Sequence, residues 1–367
     1  MTAADWIDRL VLPAIAAPMT GVSGPELVVA ACRSGIVGSF PTHNAPTVDA
    51  LDEWLNRIFA TLAQSPAAAP VAANLVVHRT NARLQGDVDC LIRHGVEIVI
   101  TSVGSPAGVV APLHAAGCTV LADVATMRHV DRALEAGVDG LILLTAGAGG
   151  QTGAANPFAF VRAVRERFDG IVVLAGGITD GPSILAAQML GADLVYLGTR
   201  LIATTESWAS AGYRAALVDA DLDDVHLTSG VGGIPANVLS AWLDRRRPTA
   251  EAPVSDEGPD GGFRQERLLR NRDVWGAGHG VGGIKQVLPV AAVIDAIKTQ
   301  HDSACERMLR AGPPHLGARP MKSPTPETEH AMSMWNAIYE PLDRACGYYR
   351  DKTALVDRVS SATGGAW

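Results

Sequence analysis

Short apolar runs rich in Val, Ile, Leu and Ala recur through the first half of the chain and alternate with segments whose apolar residues return every three or four positions. The runs are too evenly apolar to have a solvated face. They predict strands of a parallel sheet buried on both sides, and the periodic segments predict the helices that cover it. Strands are predicted at 13–19, 35–40, 71–77, 96–103, 119–125, 141–145, 171–174 and 194–197, with helices at 25–34, 49–64, 84–95, 106–117, 127–137, 157–168 and 182–190. For the second helix, Thr47 and Asp49 are candidate N-caps, and Trp54, Leu55, Ile58 and Leu62 fall on one face.

Strand–helix units repeated every ~20–30 residues match an α/β fold, a (β/α)8 TIM barrel ending near residue 215. A doubly wound open sheet would use fewer units and carry GxGxxG on its first turn, which is missing here. Beyond 215 the rhythm changes. One apolar run remains in 219–248, and 249–265 is polar and Pro/Gly-rich, which predicts an exposed loop. A glycine turn then precedes an amphipathic helix carrying Leu288, Val290, Val293, Ile294 and Ile297. The chain divides into a barrel over 1–215, a segment over 216–298 at the barrel mouth, and a C-terminal helical extension over 299–367 with a patch at 332–349. An oligomer contact is one role open to that extension.

Charge and composition narrow the partners. The net charge of −8 contains no long run of one sign, which argues against nucleic acid and an anionic membrane surface. Apolar content is 48%, but nothing approaches the ~18 uninterrupted apolar residues of a membrane span, and Asp5, Asp8 and Arg9 stand where a signal peptide would be basic. A cytoplasmic protein is expected. The cysteines (32, 90, 118, 305 and 346) are odd in number and lack CxxC spacing, so they read as reduced thiols; no metal-ligand pattern is present.

Reactive groups of a barrel gather at the C-terminal strand ends. Those positions hold Met19, Thr20 and Gly21; His43; Asn74 and His78; Ser102; Asp123; Gly149, Gly150 and Gln151; Gly176 and Gly177; and Gly198, Thr199 and Arg200. A later glycine turn adds Gly278 and His279. Asp123 reads as a carboxylate hydrogen-bonded to a neighbouring loop, and histidines 94, 114, 129, 226, 301, 315 and 330, on helices or in the tail, read as solvated. Glycine turns at 147–153 (GAGGQTG), 176–181 (GGITDG) and 198–200 (GTR) let backbone N–H groups approach an anion, with Arg200 adding fixed charge. No carboxylate pair, GxSxG elbow or strand-ending lysine accompanies them. A phosphate cradle with few ionisable groups suits a cofactor that performs its own chemistry. FMN fits, with its phosphate on the last two turns and its ring over Ala17, Pro18 and Met19, although a sugar-phosphate isomerase would show the same turns.

The segments AAPM (16–19), ANLVVHRTNARL (73–84), VITSVGSP (99–106), LILLTAGAGGQTG (141–153), VLAGGITDGPSILAAQMLGADLVYLGTRLIAT (173–204) and WGAGHGVGGIKQVLP (275–289) resemble the nitronate monooxygenases, or 2-nitropropane dioxygenases. These are FMN-dependent barrel enzymes related to flavin enoyl-acyl carrier protein reductases. The resemblance implies FMN phosphate contacts from Gly176, Gly177, Gly198 and Thr199 with Arg200 nearby. It also implies ring contacts from Pro18, Met19, Gly21 and Asn74, with Gly149 and Gly150 in the same cofactor-binding set. The family's proposed base is the histidine of AGGHxG, and that position is Gln151 here. An amide does not titrate near neutral pH, so removing a carbon proton from a neutral nitroalkane is in doubt, whereas an alkyl nitronate arrives deprotonated. His279, where many relatives carry glutamine, and His78 are the remaining candidates to contact substrate.

The expected activity is oxidation of a small nitronate with O2. Within the flavin class the alternative is NAD(P)H-dependent reduction of a quinone or enoyl thioester. From other classes, a phosphate-binding lyase or isomerase, or a non-catalytic flavin-binding protein, would carry the same cradle.

Overall fold

A computed structural model of the chain describes residues 6–231, 234–245 and 273–311. The strands are β1 (Ala14–Ala16), β2 (Gly38–Pro41), β3 (Val71–Val76), β4 (Ile98–Ser102), β5 (Thr119–Val124), β6 (Gly140–Leu144), a short β7 (Gly150–Gln151), β8 (Ile171–Ala175), β9 (Leu194–Leu197), β10 (Val225–Thr228) and β11 (Ala236–Leu239). Eight of them form one parallel sheet in the order β1-β9-β8-β6-β5-β4-β3-β2. The sheet closes where Ile15 bridges Val37 and Ala16 N–H donates to Val37 O at 2.8 Å. Each predicted barrel strand forms: β9 spans the expected residues, β2, β6 and β8 are shifted or extended by a residue at one end, and the others are shorter than expected.

The covering helices are α1 (Pro25–Arg33), α2 (Val48–Leu62), α3 (Leu84–Arg93), α4 (Ala107–Ala115), α5 (Met127–Glu135), α6 (Pro157–Arg165) and α7 (Gly181–Leu190). Thr47 caps α2 by accepting from Ala50 N–H, and Leu51, Leu55 and Ile58 of that helix are buried. Two apolar layers result. Inside the barrel lie Ile15, Val37, Ala72, Ile98, Ile100, Leu121, Ile142, Val173 and Leu194, and Trp6 seals the N-terminal end by donating from Nε1 to Thr119 Oγ1 at 3.3 Å. Outside, alternate strand residues such as Val99, Val120 and Leu141 pack on the helices. Alternation along each strand sends side chains to both layers, which is why the strands read as continuously apolar.

After β9 come α8 (Thr199–Ile202), α9 (Ala211–Asp219), α10 (Ser240–Arg245) and α11 (Val290–Ala311). The position between α7 and α1 on the outer ring is taken by α11. Its first N–H, on Val290, donates to the Glu206 carboxylate at 3.1 Å, and it buries Val290, Val293, Ile294 and Ile297. The helix runs without a break through residue 298. Among the described residues no helix is long and apolar enough to cross a membrane.

Cysteines 32, 90, 118 and 305 are buried free thiols, while burial pushes the Cys32 thiol up to about 12. Two of the histidines expected to be solvated are not. His301 is buried between α11 and α7 with Nε2 at 2.9 Å from Gln188 Oε1, and His94 Nε2 lies 2.9 Å from Asp52 Oδ1. Both face a neighbouring helix, a lateral contact that the periodicity of one helix does not encode. The loop at 249–265, the patch at 332–349, His315, His330 and Cys346 lie outside the described residues.

The α7–α11 contact is close enough to exclude a side chain at Gly181. An added Cβ would fall within the backbone of Gln300 and His301, and Gly181 N–H donates to Gln300 Oε1 at 3.2 Å. Gly181→Ala is expected to cost about 1–3 kcal/mol of unfolding free energy, the usual range for overpacking, measured by urea denaturation. An unchanged midpoint would show that α11 can shift without loss.

Candidate active site at the C-terminal mouth of the barrel

The loop after β1 carries Pro18, Met19 and Gly21, and Asn44 makes three hydrogen bonds to its backbone. Asn44 Nδ2 donates to Met19 O at 3.0 Å and to Ser23 O at 2.9 Å, while its Oδ1 accepts from Gly21 N–H at 2.9 Å. Beside it, buried His43 places Nε2 2.9 Å from Thr20 Oγ1. His43 is therefore part of the loop's support. A Cβ on Gly198 would stand 3.6 Å from Ala17 Cβ and 3.9 Å from Met19 Sδ, so the turn after β9 meets this loop.

Four segments converge beyond that turn, around the ends of β6, β8 and β9. A Cβ on Gly149 would lie 2.6 Å from Gly278 N and 3.0 Å from Thr199 Oγ1, and one on Gly147 would lie 3.3 Å from Gly177 N and 3.4 Å from His279 Nδ1. Backbone packs directly on backbone here, and only glycine permits it. Gly176 and Gly177 also adopt φ of 125° and 73°, the left-handed region that side chains disfavour. His279 N–H donates to Gly147 O at 3.0 Å, and Gly278 N–H donates to Thr199 Oγ1 at 2.8 Å. The structure thus brings together Gly149, Gly177, Thr199 and His279, candidates more than a hundred residues apart.

Gln151 stands at the rim, exposed, on β7, which pairs antiparallel with β11 opposite Ala236 in the three-stranded sheet β10-β11-β7. Gly150, with φ of 63°, starts that strand opposite Asn237. His279 is exposed. His78 is half-buried, with Nδ1 2.8 Å from Thr80 Oγ1 within its own loop. Asn74 is buried; its Nδ2 donates to Ser102 Oγ at 3.1 Å and Ile100 O at 3.3 Å. Next to Ser102, Val103 has φ of 54°, a strained value for a β-branched residue.

Several buried polar atoms at the mouth have no hydrogen-bond partner: Arg200 Nη1, Thr179 Oγ1, Asp123 Oδ1 and the Tyr196 hydroxyl. Burial pulls the Arg200 pKa down. A half-buried guanidinium with one sealed N–H group and a buried hydroxyl, just past the ends of neighbouring strands β9 and β8 and beside side-chain-free turns, suit an oxyanion. Asp123 corrects an expectation. No donor reaches its Oδ1, because its side chain turns into the barrel level with apolar Ile142 on β6, and the Ser102 hydroxyl on β4 is committed to Asn74 Oδ1 at 3.3 Å. Burial pushes the carboxyl up to about 7.

Two supporting residues escaped the sequence reading, Asn44 and Asn237. Buried Asn237 donates from Nδ2 to Ala146 O at 2.9 Å and Ala148 O at 2.7 Å, and its own O accepts from Ala277 N–H at 3.2 Å. It ties the 276–280 turn to the 147–151 loop. Below it the Tyr213 hydroxyl donates to Gly276 O, and the Tyr213 ring stacks on Trp275 at 5.4 Å between centroids. A polar side chain in an apolar run was the one available signal for Asn237.

The profile of the family described as nitronate monooxygenase matches residues 6–297. A nitronate monooxygenase from Paraburkholderia phytofirmans is 29% identical over 344 residues, covering 81% of this chain and 94% of that protein. The (3aS,4S,5R,7aS)-5-hydroxy-7a-methyl-1-oxo-octahydro-1H-indene-4-carboxyl-CoA dehydrogenase from Mycobacterium tuberculosis is 29% identical over 235 residues, 63% of this chain. That match spans 64% of the dehydrogenase, just under two thirds of its length. Among solved structures, FabK from Thermotoga maritima superposes with a TM-score of 0.70 at 24% identity, covering 83% of this chain and 97% of its own, a likeness of fold.

Two outcomes are expected from this geometry. Asn237→Ala strands two buried carbonyls and is expected to cost about 1–3 kcal/mol, with faster amide exchange in 146–151 and 276–279; unaltered exchange there would remove Asn237 as the tie. Asp123 has a folded pKa raised from 3.8, so the stability it contributes is complete below that value and is lost as pH rises towards about 7. Thermal unfolding of the apoprotein should show wild-type Tm falling relative to Asp123→Asn by several degrees across that window and tracking it above. A constant difference would mean that the carboxyl is solvated.

Proposed function

The chain belongs to the nitronate monooxygenase family, and on that premise we propose that it is an FMN-dependent oxidoreductase that oxidises alkyl nitronates with O2. The observation that carries this reading is the half-buried Arg200 guanidinium, whose Nη1 is sealed from solvent and has no protein partner beside turns stripped of side chains. Leaving such a charge uncompensated is costly, and a phosphate dianion offsets that cost while accepting the nearby N–H groups.

The residues present fit FMN. Gly176, Gly177, Gly198 and Thr199 would hold the phosphate with Arg200, and the Thr179 hydroxyl is a further donor on the same side. The Pro18–Gly21 backbone, fixed by Asn44, and the Asn74 side chain would hold the ring, with Gly149 and Gly150 closing the far edge. When bound, FMN supplies the redox chemistry, accepting electrons from the substrate and passing them to O2. This chain's own residues bind and orient. Gln151 offers an amide N–H to a nitronate oxygen and cannot take a carbon proton. His279 beside Gly147 offers a ring N–H from the same rim, and His78 lines the approach from β3. No proton needs to leave carbon when the substrate is already an anion, so the absence of a base at position 151 selects the nitronate over its neutral nitroalkane.

A second reading is hydride exchange between NAD(P)H and a quinone or an enoyl thioester. Its support is the similarity to a relative whose name places it on a carboxyl-CoA.

The decisive measurement is anaerobic mixing of the purified yellow protein with propyl nitronate and, separately, with NADH and NADPH. Faster bleaching by the nitronate is expected; bleaching by NAD(P)H alone would overturn the first reading in favour of the second. Gln151→His is expected to raise turnover of neutral nitroalkane by about 100-fold or more, the usual contribution of a general base, with a rise through the histidine pKa. Arg200→Ala is expected to weaken FMN about 10- to 100-fold, as loss of charge-assisted hydrogen bonds does, read by flavin fluorescence.

A further inference from the structure

Arg200 and Thr179 account for two of the buried polar atoms without partners at the mouth. The other two, Asp123 Oδ1 and the Tyr196 hydroxyl, lie deeper, on the next-to-last residues of β5 and β9 inside the barrel. The other polar side chains of that layer satisfy each other, since Asn74 Nδ2 donates to Ser102 Oγ and Ser102 Oγ donates to Asn74 Oδ1 at 3.3 Å. Asp123 is partly exposed as a residue while its Oδ1 is sealed, so the carboxyl borders the space of the mouth.

The groups facing Asp123 are few. On β4 stands Ser102, on β6 Ile142 and Leu144, and from across the barrel comes Tyr196, whose phenol is pushed up by burial and then by Asp123. At the turn that follows β5, His129 Nδ1 accepts from Ala125 N–H at 3.3 Å, and its pKa is lowered by burial and by Arg128 and Arg132. No cation among the described residues pairs with Asp123, and burial alone raises it. Near neutral pH the carboxyl is therefore able to keep its proton and act as a donor, as the phenol already does.

Two unsatisfied donors in one layer call for a ligand with acceptors. Asn74, expected to touch the flavin ring, stands two strands away in that layer, and the pyrimidine edge of the ring carries carbonyl oxygens and a ring nitrogen. An ionised Asp123 would oppose those acceptors. We propose that protonated Asp123, together with the Tyr196 hydroxyl, donates hydrogen bonds to the acceptor edge of the flavin ring, so that FMN binding takes up a proton from solvent at Asp123. This rests on the FMN reading above. It makes Asp123 a cofactor-binding residue and ties retention of the flavin to pH.

The test uses apoprotein and FMN, with no turnover. Fluorescence titrations between pH 5.5 and 8.5 compare wild type with Asp123→Asn, both of which share the ionisation of the FMN phosphate. The wild-type Kd, relative to that of Asp123→Asn, is expected to weaken above the apoprotein pKa, approaching about 10-fold per pH unit as linkage requires. Tyr196→Phe should weaken FMN at every pH. Should Asp123→Asn fold poorly, a pH indicator in weakly buffered wild type at pH 8 reads the same proton, and uptake of most of one proton per FMN bound is expected. A pH-independent Kd ratio, or FMN binding without proton uptake, overturns the proposal while leaving the FMN reading intact. Failure of FMN to bind wild type at any pH overturns both.

Discussion

Backbone packed on backbone at the barrel rim is the constraint on which the rest of this structure depends. The loop at 147–150, the turn at 176–177 and the turn at 276–279 approach closely enough that a Cβ on Gly149 or Gly278 would meet backbone nitrogen at 2.6–2.8 Å. Removing side chains from the rim leaves N–H groups and a half-buried guanidinium lining it, a lining shaped by what has been taken away from the wall as much as by Arg200. The phosphate proposed above rests on that lining.

Such a rim does not hold itself. Glycine-rich segments lose the most conformational freedom on ordering, and here buried amides limit that freedom. Asn44 fixes the loop after β1 through three hydrogen bonds, and Asn237 joins the 147–151 loop to the turn carrying His279. Each amide satisfies carbonyls that would otherwise be buried unpaired. The small sheet of β7, β10 and β11 therefore positions the site although it adds nothing to the barrel. The outer ring is likewise completed at a distance in sequence, by α11 packed between α7 and α1.

The mouth is sparing with ionisable groups, and their placement divides the labour. Arg200 lies just past β9, beside the glycine turns. Gln151 and His279 occupy the exposed rim. Asp123 and Tyr196 lie on the floor, desolvated, where each holds its proton more tightly than in water. A site built this way binds and orients, and leaves bond-making electrons to its cofactor.

Much of this was legible in the residues. Strands buried on both faces cannot alternate in polarity, so eight apolar runs of even spacing announced the barrel, and strand ends followed by glycine announced its rim. Local chemistry also narrowed the N-cap of α2 to Thr47 or Asp49, of which the structure uses Thr47, and placed a non-titrating amide at Gln151. Tertiary structure alone decided the rest, because its causes are contacts between distant segments. Only the folded chain sets His279 beside Gly147, turns His301 into a buried helix contact, makes Asn237 a tie, and leaves Asp123 without the loop partner expected for it. Hydrophobic periodicity is a property of one element and records which face is buried. Which neighbour covers that face, and whether it brings a hydrogen-bond partner, is settled only when the barrel closes.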